Sequence, residues 1–168
     1  VRQADIGDPA YLLANLRGGG VNPDGAVMMV GNGFHEVRNQ TDEKMERIFA
    51  GYHDAGIVLI FTEANALTTE DLRHTAFNTY HAGFMYVHSK SGQGLRPARA
   101  IPEARRSGEL QSSWPECAAA AGYVEADQYC SRSRTAYPTR PEGTSFNPAI
   151  SANHFMVPGP LAETLGLR

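Results

Sequence analysis

An amphipathic helix followed directly by a strongly apolar run is the feature that most restricts how this chain can fold. Residues 39–53 predict the helix, and Thr41 stands where an N-cap is needed. Its apolar face consists of Met45, Ile48, Phe49 and Tyr52. Residues 56–61 come next, and their β-branched and aromatic side chains predict a strand. The chain therefore contains both kinds of regular element, close together.

The remaining segments predict further strands and helices in an irregular order. Short strands are expected at residues 10–16 and 83–88, and a second helix is expected from Thr69 to about Tyr80. Residues 137–148 are rich in Pro, Gly and Thr, which indicates a loop. Because strands and helices do not alternate regularly, the pattern favours an α+β fold over a doubly wound sheet. The length of 168 residues suits a single domain over residues 1–168.

Charge and hydropathy exclude two classes of protein. The net charge of −3 provides no overall positive field that would draw the chain onto nucleic acid. The longest apolar stretches, such as residues 25–30 and 56–61, are far shorter than the roughly 18–20 residues that a membrane span needs. We therefore expect no membrane-spanning segment.

Three histidines recur at intervals of seven residues, at positions 74, 81 and 88. Such a repeat indicates a metal cluster only if one helix carries all three side chains. The strand predicted at residues 83–88 argues against that helix. We therefore predict no metal site, and expect His74, His81 and His88 to be surface or capping residues.

The two cysteines, Cys117 and Cys130, leave two interpretations open. A disulfide between them would close a short loop, contribute about 3 kcal/mol in the chain-entropy model and indicate an oxidising compartment. Two buried free thiols are the alternative. The disulfide is the prediction carried forward.

One set of features occurs in an order that resembles a known family. In chain order they are a strand ending at Arg17, Pro23-Asp24, Gly33-Phe34, the run 56–63 with Thr62, the run 83–87, the stretch Glu-Cys-Ala-Ala-Ala-Ala-Gly opened by Glu116, and Asn147-Pro148. This order is similar to that of the bacterial mono-ADP-ribosyltransferase toxins of the cholera, pertussis and scabin type. An alternative register, with Arg2 in place of Arg17, lacks room for the preceding strand.

The resemblance implies a fold and a set of site residues. The fold would be a split β-sandwich with flanking helices around a cleft that binds NAD, partly through Gly33 and Phe34. Arg17 would bind the pyrophosphate of NAD, and Thr62 would orient the nicotinamide ribose. Glu116 would stabilise the positive charge that develops on the ribose carbon as nicotinamide leaves.

The same resemblance implies the function and leaves the acceptor open. Trp114 stands where the family usually has a second Glu or Gln, so it would bind the acceptor by stacking or in an apolar pocket. The expected activity is mono-ADP-ribosyl transfer from NAD to a protein or nucleic acid, by a toxin that is secreted or delivered into a target cell. An NAD glycohydrolase and a non-catalytic secreted binding module are the alternatives.

Overall fold

The chain forms an α+β fold, as predicted from the mixture of its elements. The computed structural model describes residues 3–73, 78–135 and 149–167. The helices are α1 (Pro9–Gly18), α2 (Asp42–His53), α3 (Thr69–Arg73), α4 (Asn78–Lys90), α5 (Pro102–Arg106), α6 (Trp114–Ala120) and α7 (Gly159–Thr164). The strands are β1 (Val27–Gly31), β2 (Val58–Ala64), β3 (Tyr123–Glu125), β4 (Ser131–Thr135) and β5 (Ala149–Pro158). The loop predicted at residues 137–148, Asn147-Pro148 and His74 lie outside the described residues.

The five strands form one mixed sheet in the order β1-β2-β5-β3, and β4 also pairs with β5. Strands β1 and β2 are parallel and are connected through α2, whereas β5 is antiparallel to β2, β3 and β4. The resemblance implied two small sheets, but the described strands all belong to a single one. The parallel pair brings the carboxyl ends of β1 and β2 to the same edge of the sheet.

The predicted pairing of an amphipathic helix with an apolar strand is confirmed. Thr41 caps α2 by accepting a hydrogen bond from the backbone N–H of Lys44 at 3.2 Å. The predicted apolar face of α2 is fully buried, and Phe49 stacks on Phe61 of β2 with ring centroids 6.0 Å apart. Trp114 of α6 completes this core with an edge contact on Phe61. The hydrophobic effect thus places α2 and α6 on one face of the sheet.

The strand predicted at residues 10–16 is wrong, because this segment is helix α1. Pro9 occupies the first turn, where its missing N–H costs nothing, and the Asp8 carboxylate accepts the N–H of Tyr11 at 3.0 Å. Only Leu13 of α1 is fully buried. The start signal of a helix therefore outweighs the apolar run that follows it.

The strand predicted at residues 83–88 is also wrong, because this segment lies within α4. His81, Phe84 and His88 lie on one face of the helix, with the Phe84 and His88 rings 4.0 Å apart. Tyr86 and Val87, which suggested a strand, are more than half exposed. His81 and His88 therefore lie on one helix, which the predicted strand had argued against.

The predicted disulfide is not formed in the structure, where both cysteines are free thiols. Cys117 is buried in α6, and its sulfur accepts an N–H from Arg96 at 3.2 Å. The sulfur of Cys130 instead contacts Glu125, at 3.6 Å from Oε1. Burial raises the pKa of the Cys117 thiol to about 12, so this thiol stays protonated near neutral pH. Cys117 thus matches the alternative of a buried free thiol.

The opposite face of the sheet is covered in part by α7, where Ala162 packs on Val58 and Val157. Among the described helices, none combines the length and the apolar character that crossing a bilayer would require.

Candidate functional site

The carboxyl ends of β1 and β2 carry a buried cluster of polar side chains. Gly31 at the end of β1 is paired with Thr62 of β2, and the chain then turns through Asn32 into the 3₁₀ turn Phe34–Glu36. Glu63 follows Thr62 on β2, and its side chain is completely buried beneath that turn. In sheets with parallel strands, ligands bind outside the carboxyl ends of those strands. This edge is therefore where a functional site is expected.

Glu63 organises the turn through four contacts. Its Oε1 accepts the backbone N–H groups of Gly33 at 2.9 Å and Phe34 at 2.7 Å. Its Oε2 accepts the N–H of His35 at 3.4 Å and lies 2.6 Å from His35 Nδ1. A buried carboxylate is costly unless it is hydrogen-bonded, and here each oxygen has partners. The backbone and the imidazole thus hold Glu63 in one orientation.

The turn before His35 depends on a residue with positive φ and on a glycine. Asn32 has φ 51°, in the left-handed region that asparagine tolerates better than most residues. A Cβ on Gly33 would lie 2.8 Å from Cγ1 of Val30, so a larger residue would displace the turn. The Gly33 N–H donates to Glu63, so the small size of Gly33 helps to hold Glu63 in its orientation.

His35 has one ring nitrogen facing inward and one facing a surface carboxylate. Since Nδ1 is 2.6 Å from Glu63, the neutral ring carries its proton on Nδ1 and a lone pair on Nε2. Nε2 lies 3.2 Å from Oε1 of Glu36, whose side chain is 55% exposed. Burial alone lowers the pKa of His35, but the hydrogen bond and charge of Glu63 and the charge of Glu36 outweigh it, so the pKa is raised above 6.5.

Helix α4 adds two histidines and an aromatic ring to this cluster. The rings of His35 and His88 are 5.2 Å apart, and Nδ1 of His88 donates to the carbonyl of Phe84 at 2.8 Å. Phe84 lies 6.4 Å from the His35 ring. His81 contacts the carbonyl of Asn65, just after β2, at 2.8 Å. The helix that was predicted to be a strand thus forms the second wall of the site.

Atoms of His35, Glu36 and His88 that could ligate a metal lie within 4.8 Å of one another. When the His35 ring is protonated, it forms an ion pair with Glu36 that needs no metal cation between them. Glu36 also accepts a hydrogen bond from Gln93. In the structure His35 and Glu36 therefore contact each other directly.

The raised pKa of His35 predicts a pH-dependent loss of stability. A group whose pKa is raised on folding stabilises the protein fully below its unfolded pKa, near 6.5, and loses that effect as pH rises through the folded pKa. We expect the free energy of unfolding, measured with urea from about pH 6 to about pH 9, to fall across this range. His35→Gln should remove that fall. His53→Gln is the matched control, since His53 forms its ion pair with the exposed Asp54 and its ring packs on Tyr123. An unchanged profile in His35→Gln would refute the assignment.

The structure does not bring Arg17, Thr62 and Glu116 to one place. Arg17 lines a cavity of about 570 Å³ at the amino ends of β1 and β2. Thr62 lies four residues beyond the start of β2, about 13 Å along the strand. Its hydroxyl donates to Asn153 Oδ1 at 2.6 Å, on the face opposite Glu63. Glu116 caps α6 by accepting the N–H of Ser113 at 2.8 Å, and its other oxygen pairs with Arg105.

Three other predicted residues have clear positions. Gly33 and Phe34 lie in the cluster around Glu63, where their backbone N–H groups donate to its carboxylate. Trp114 is completely buried between Phe61 and Arg96, so the predicted contact with an acceptor is not available to it.

Sequence reasoning missed His35, Glu36 and Glu63. It expected His81 and His88 at the surface or at a helix cap, whereas both are buried in the structure. The signal for Glu63 was an acidic residue at the end of an apolar strand, where burial demands a partner. For His35 it was a His-Glu pair just after the turn that ends β1. Neither signal identifies the other residue, because 28 positions separate them.

Comparisons of the chain with protein-family models, with curated proteins and with solved structures find no match.

Proposed function

We propose that the chain is an enzyme in which His35, held by Glu63, is the general base that removes a proton from a substrate hydroxyl. The deprotonated oxygen then accepts a group from a donor molecule. The observation that carries this proposal is the buried contact of 2.6 Å between His35 Nδ1 and Glu63 Oε2. A carboxylate in this position fixes the tautomer of the imidazole and stabilises the imidazolium that forms, which is the arrangement of a catalytic base.

The surroundings of His35 support proton transfer in two ways. Glu63 is anchored by backbone N–H groups, so the ring needs no reorganisation to accept a proton. The imidazolium is paired with Glu63 on one side and Glu36 on the other, and these two carboxylates raise the pKa of His35 above 6.5. His88 of α4 is the remaining titratable group that faces the ring.

The proton and electron movements are as follows. Glu36 swings away, because its side chain is more than half exposed, and the substrate hydroxyl takes its place beside Nε2. Nε2 accepts the hydroxyl proton while the oxygen forms a bond to the electrophilic atom of the donated group. The bond between that group and the donor breaks, and its electron pair leaves with the donor. His35 afterwards releases the proton to solvent.

The experiment that tests this proposal is a screen of group donors. The chain is incubated with hydroxylated small molecules and with S-adenosylmethionine, acetyl-coenzyme A or NAD, which offer methyl, acetyl and ADP-ribosyl groups. Product is followed by mass spectrometry as a function of pH. We expect the rate with the correct donor to rise with pH through the raised pKa of His35, because only the neutral ring is a base. A rate independent of pH in that range would contradict the proposal.

ADP-ribosyl transfer from NAD, the split β-sandwich and the toxin role stay predictions from the resemblance. Support for them is limited to Arg17, which lines a cavity of about 570 Å³, large enough for part of a dinucleotide. NAD hydrolysis and a non-catalytic binding role remain the alternatives to transfer.

A substitution of Glu116 tests this second function without disturbing the fold. Glu116→Gln keeps the capping box of α6, because glutamine satisfies the same backbone N–H. If Glu116 stabilises the transition state, nicotinamide release from NAD should fall by about 10²–10³-fold. Glu103→Gln in the first turn of α5 is the matched control. Release without an acceptor would favour hydrolysis, and unchanged release in Glu116→Gln would remove Glu116 from the reaction.

A further inference from the structure

A second cavity, of about 380 Å³, lies beside the His35 site. Its walls come from four loops and from α4. Apolar side chains of Met85, Leu95 and Leu110 line it, together with the amide side chains of Asn39 and Gln111. A space of this size accommodates a small organic molecule.

Two of the walls belong to the loops that also hold the proposed base. The N–H of Gly94 donates to the carbonyl of His35 at 3.3 Å, and the N–H of Asn39 donates to the carbonyl of Gly92 at 2.5 Å. Gln93 donates to the Glu36 carboxylate, which is the group that faces Nε2 of His35. The cavity and the proton-transfer cluster are therefore parts of one hydrogen-bonded unit.

The charge of the cavity restricts what it can bind. Of the lining residues that the structure describes, Glu109 is the only ionisable one. The backbone N–H of Thr69 donates to its carboxylate and lowers the pKa of Glu109, so this group is negative at neutral pH. A phosphate or carboxylate entering the cavity would lose water and meet no cation, at a high cost in free energy. The amide groups instead suit uncharged hydrogen-bonding partners.

We propose that this cavity binds the hydroxyl-bearing substrate, and that the substrate is an uncharged molecule with an apolar body. The assignment rests on the proposed function of His35, because Gly94 and Gln93 of the cavity wall hydrogen-bond to His35 and Glu36. Met85, Leu95 and Leu110 bury the apolar body, and Asn39 and Gln111 bind its polar substituents. Glu109 excludes anionic analogues.

The test compares two probes that differ in charge and hardly in shape. Binding of p-hydroxybenzamide and p-hydroxybenzoate to the whole chain is measured by ligand-observed NMR titration. We expect the amide to bind about tenfold more tightly than the carboxylate. Met85→Trp, which fills the cavity, should abolish binding of the amide, whereas the volume-conserving Met85→Leu should keep it.

If Met85→Trp fails to fold, a second variant that reverses the charge preference of the cavity still tests the proposal. Gln111 is exposed, so Gln111→Arg is tolerated by the fold and supplies the cation that the cavity lacks. This variant should bind p-hydroxybenzoate at least as tightly as the amide. Equal binding of both probes by the unmodified chain, binding of neither, or amide binding unaffected by Met85→Trp would overturn the proposal. His35→Gln separates the two proposals, since it should slow group transfer by about 10²–10⁴-fold, whereas the amide should still bind through the contacts of its apolar body.

Discussion

His35→Gln is expected to slow group transfer by about 10²–10⁴-fold, the usual contribution of a general base. Glutamine can still donate a hydrogen bond to Glu63, so the turn keeps its partner, but its amide cannot accept a proton from a hydroxyl at neutral pH. The rate is measured with the donor that the screen identifies. His53→Gln, which changes a histidine on α2 paired with the exposed Asp54, should leave the rate unchanged.

Glu63→Gln distinguishes a positioned base from a histidine with only a structural role. Removing the negative charge beside Nδ1 should lower the pKa of His35, since Glu63 is one of the groups that raise it. The pH at which the rate reaches half its maximum should therefore move downward, and the maximal rate should fall as well. A lower rate with an unmoved pH profile would assign Glu63 to structure alone. A fully active His35→Gln would exclude the base itself.

The second large effect concerns stability and lies at a buried arginine. Asp42→Asn is expected to reduce the free energy of unfolding by about 3–5 kcal/mol, as when one partner of a buried ion pair is removed. The guanidinium of Arg96 is completely buried, and its Nη1 lies 2.6 Å from Asp42 Oδ1 and 2.9 Å from the carbonyl of Ser112. This contact ties the start of α2 to the segments before α5 and α6. Without the carboxylate, the buried charge has no counter-ion among the residues that the structure describes.

Urea unfolding at neutral pH measures this effect, with Glu43→Gln as the control. Glu43 occupies the same first turn of α2 and is exposed, so its loss should change stability little. Arg96→Met should cost less than Asp42→Asn, because it removes the buried charge together with its need for a partner. If Asp42→Asn unfolds at the same urea concentration as the unmodified chain, the ion pair is not a source of stability.

The pH dependence of this pair has the opposite sign to that of His35. Burial tends to raise the pKa of Asp42, but hydrogen bonds from Arg96 and Ser112 outweigh it, so the pKa lies below 3.8. Its contribution is therefore present above about pH 4 and is lost as the pH falls through the folded pKa.

Local sequence signals correctly predicted the elements that have a clear helix cap and apolar face or an unbroken apolar run. The Thr41 cap and the apolar face of residues 39–53 identified α2, and the unbroken apolar run identified β2. Residues 83–88 have strand-forming side chains, yet they form a helix because His81, Phe84 and His88 pack together at helical spacing. The same helical spacing lets Phe84 and His88 contact His35, and such tertiary contacts override intrinsic propensity. Residues 10–16 form a helix for a local reason, because the Asp8 cap and Pro9 start it.

The site depended on pairings that no local signal contains. Glu63 and His35 meet because β1 and β2 pair in parallel with Gly31 opposite Thr62, and a shift of one residue would turn Glu63 to the other face of the sheet. Gly33 and Phe34 were identified as site residues for a different role, since their backbone N–H groups bind Glu63. Arg17, Thr62 and Glu116 followed one another in a suggestive order, but sequence order does not specify which strand end each occupies.

By itself the sequence determined the α+β class, the α2–β2 unit and the freedom from long apolar spans, because these follow from periodicity, capping and composition along short stretches. The tertiary structure alone decided that the described strands form one sheet, that Cys117 and Cys130 are free thiols, and that His35, Glu63 and His88 share a buried cluster. These outcomes depend on strand register and on helix packing across long sequence separations. Their energies come from contacts that exist only once the chain has folded.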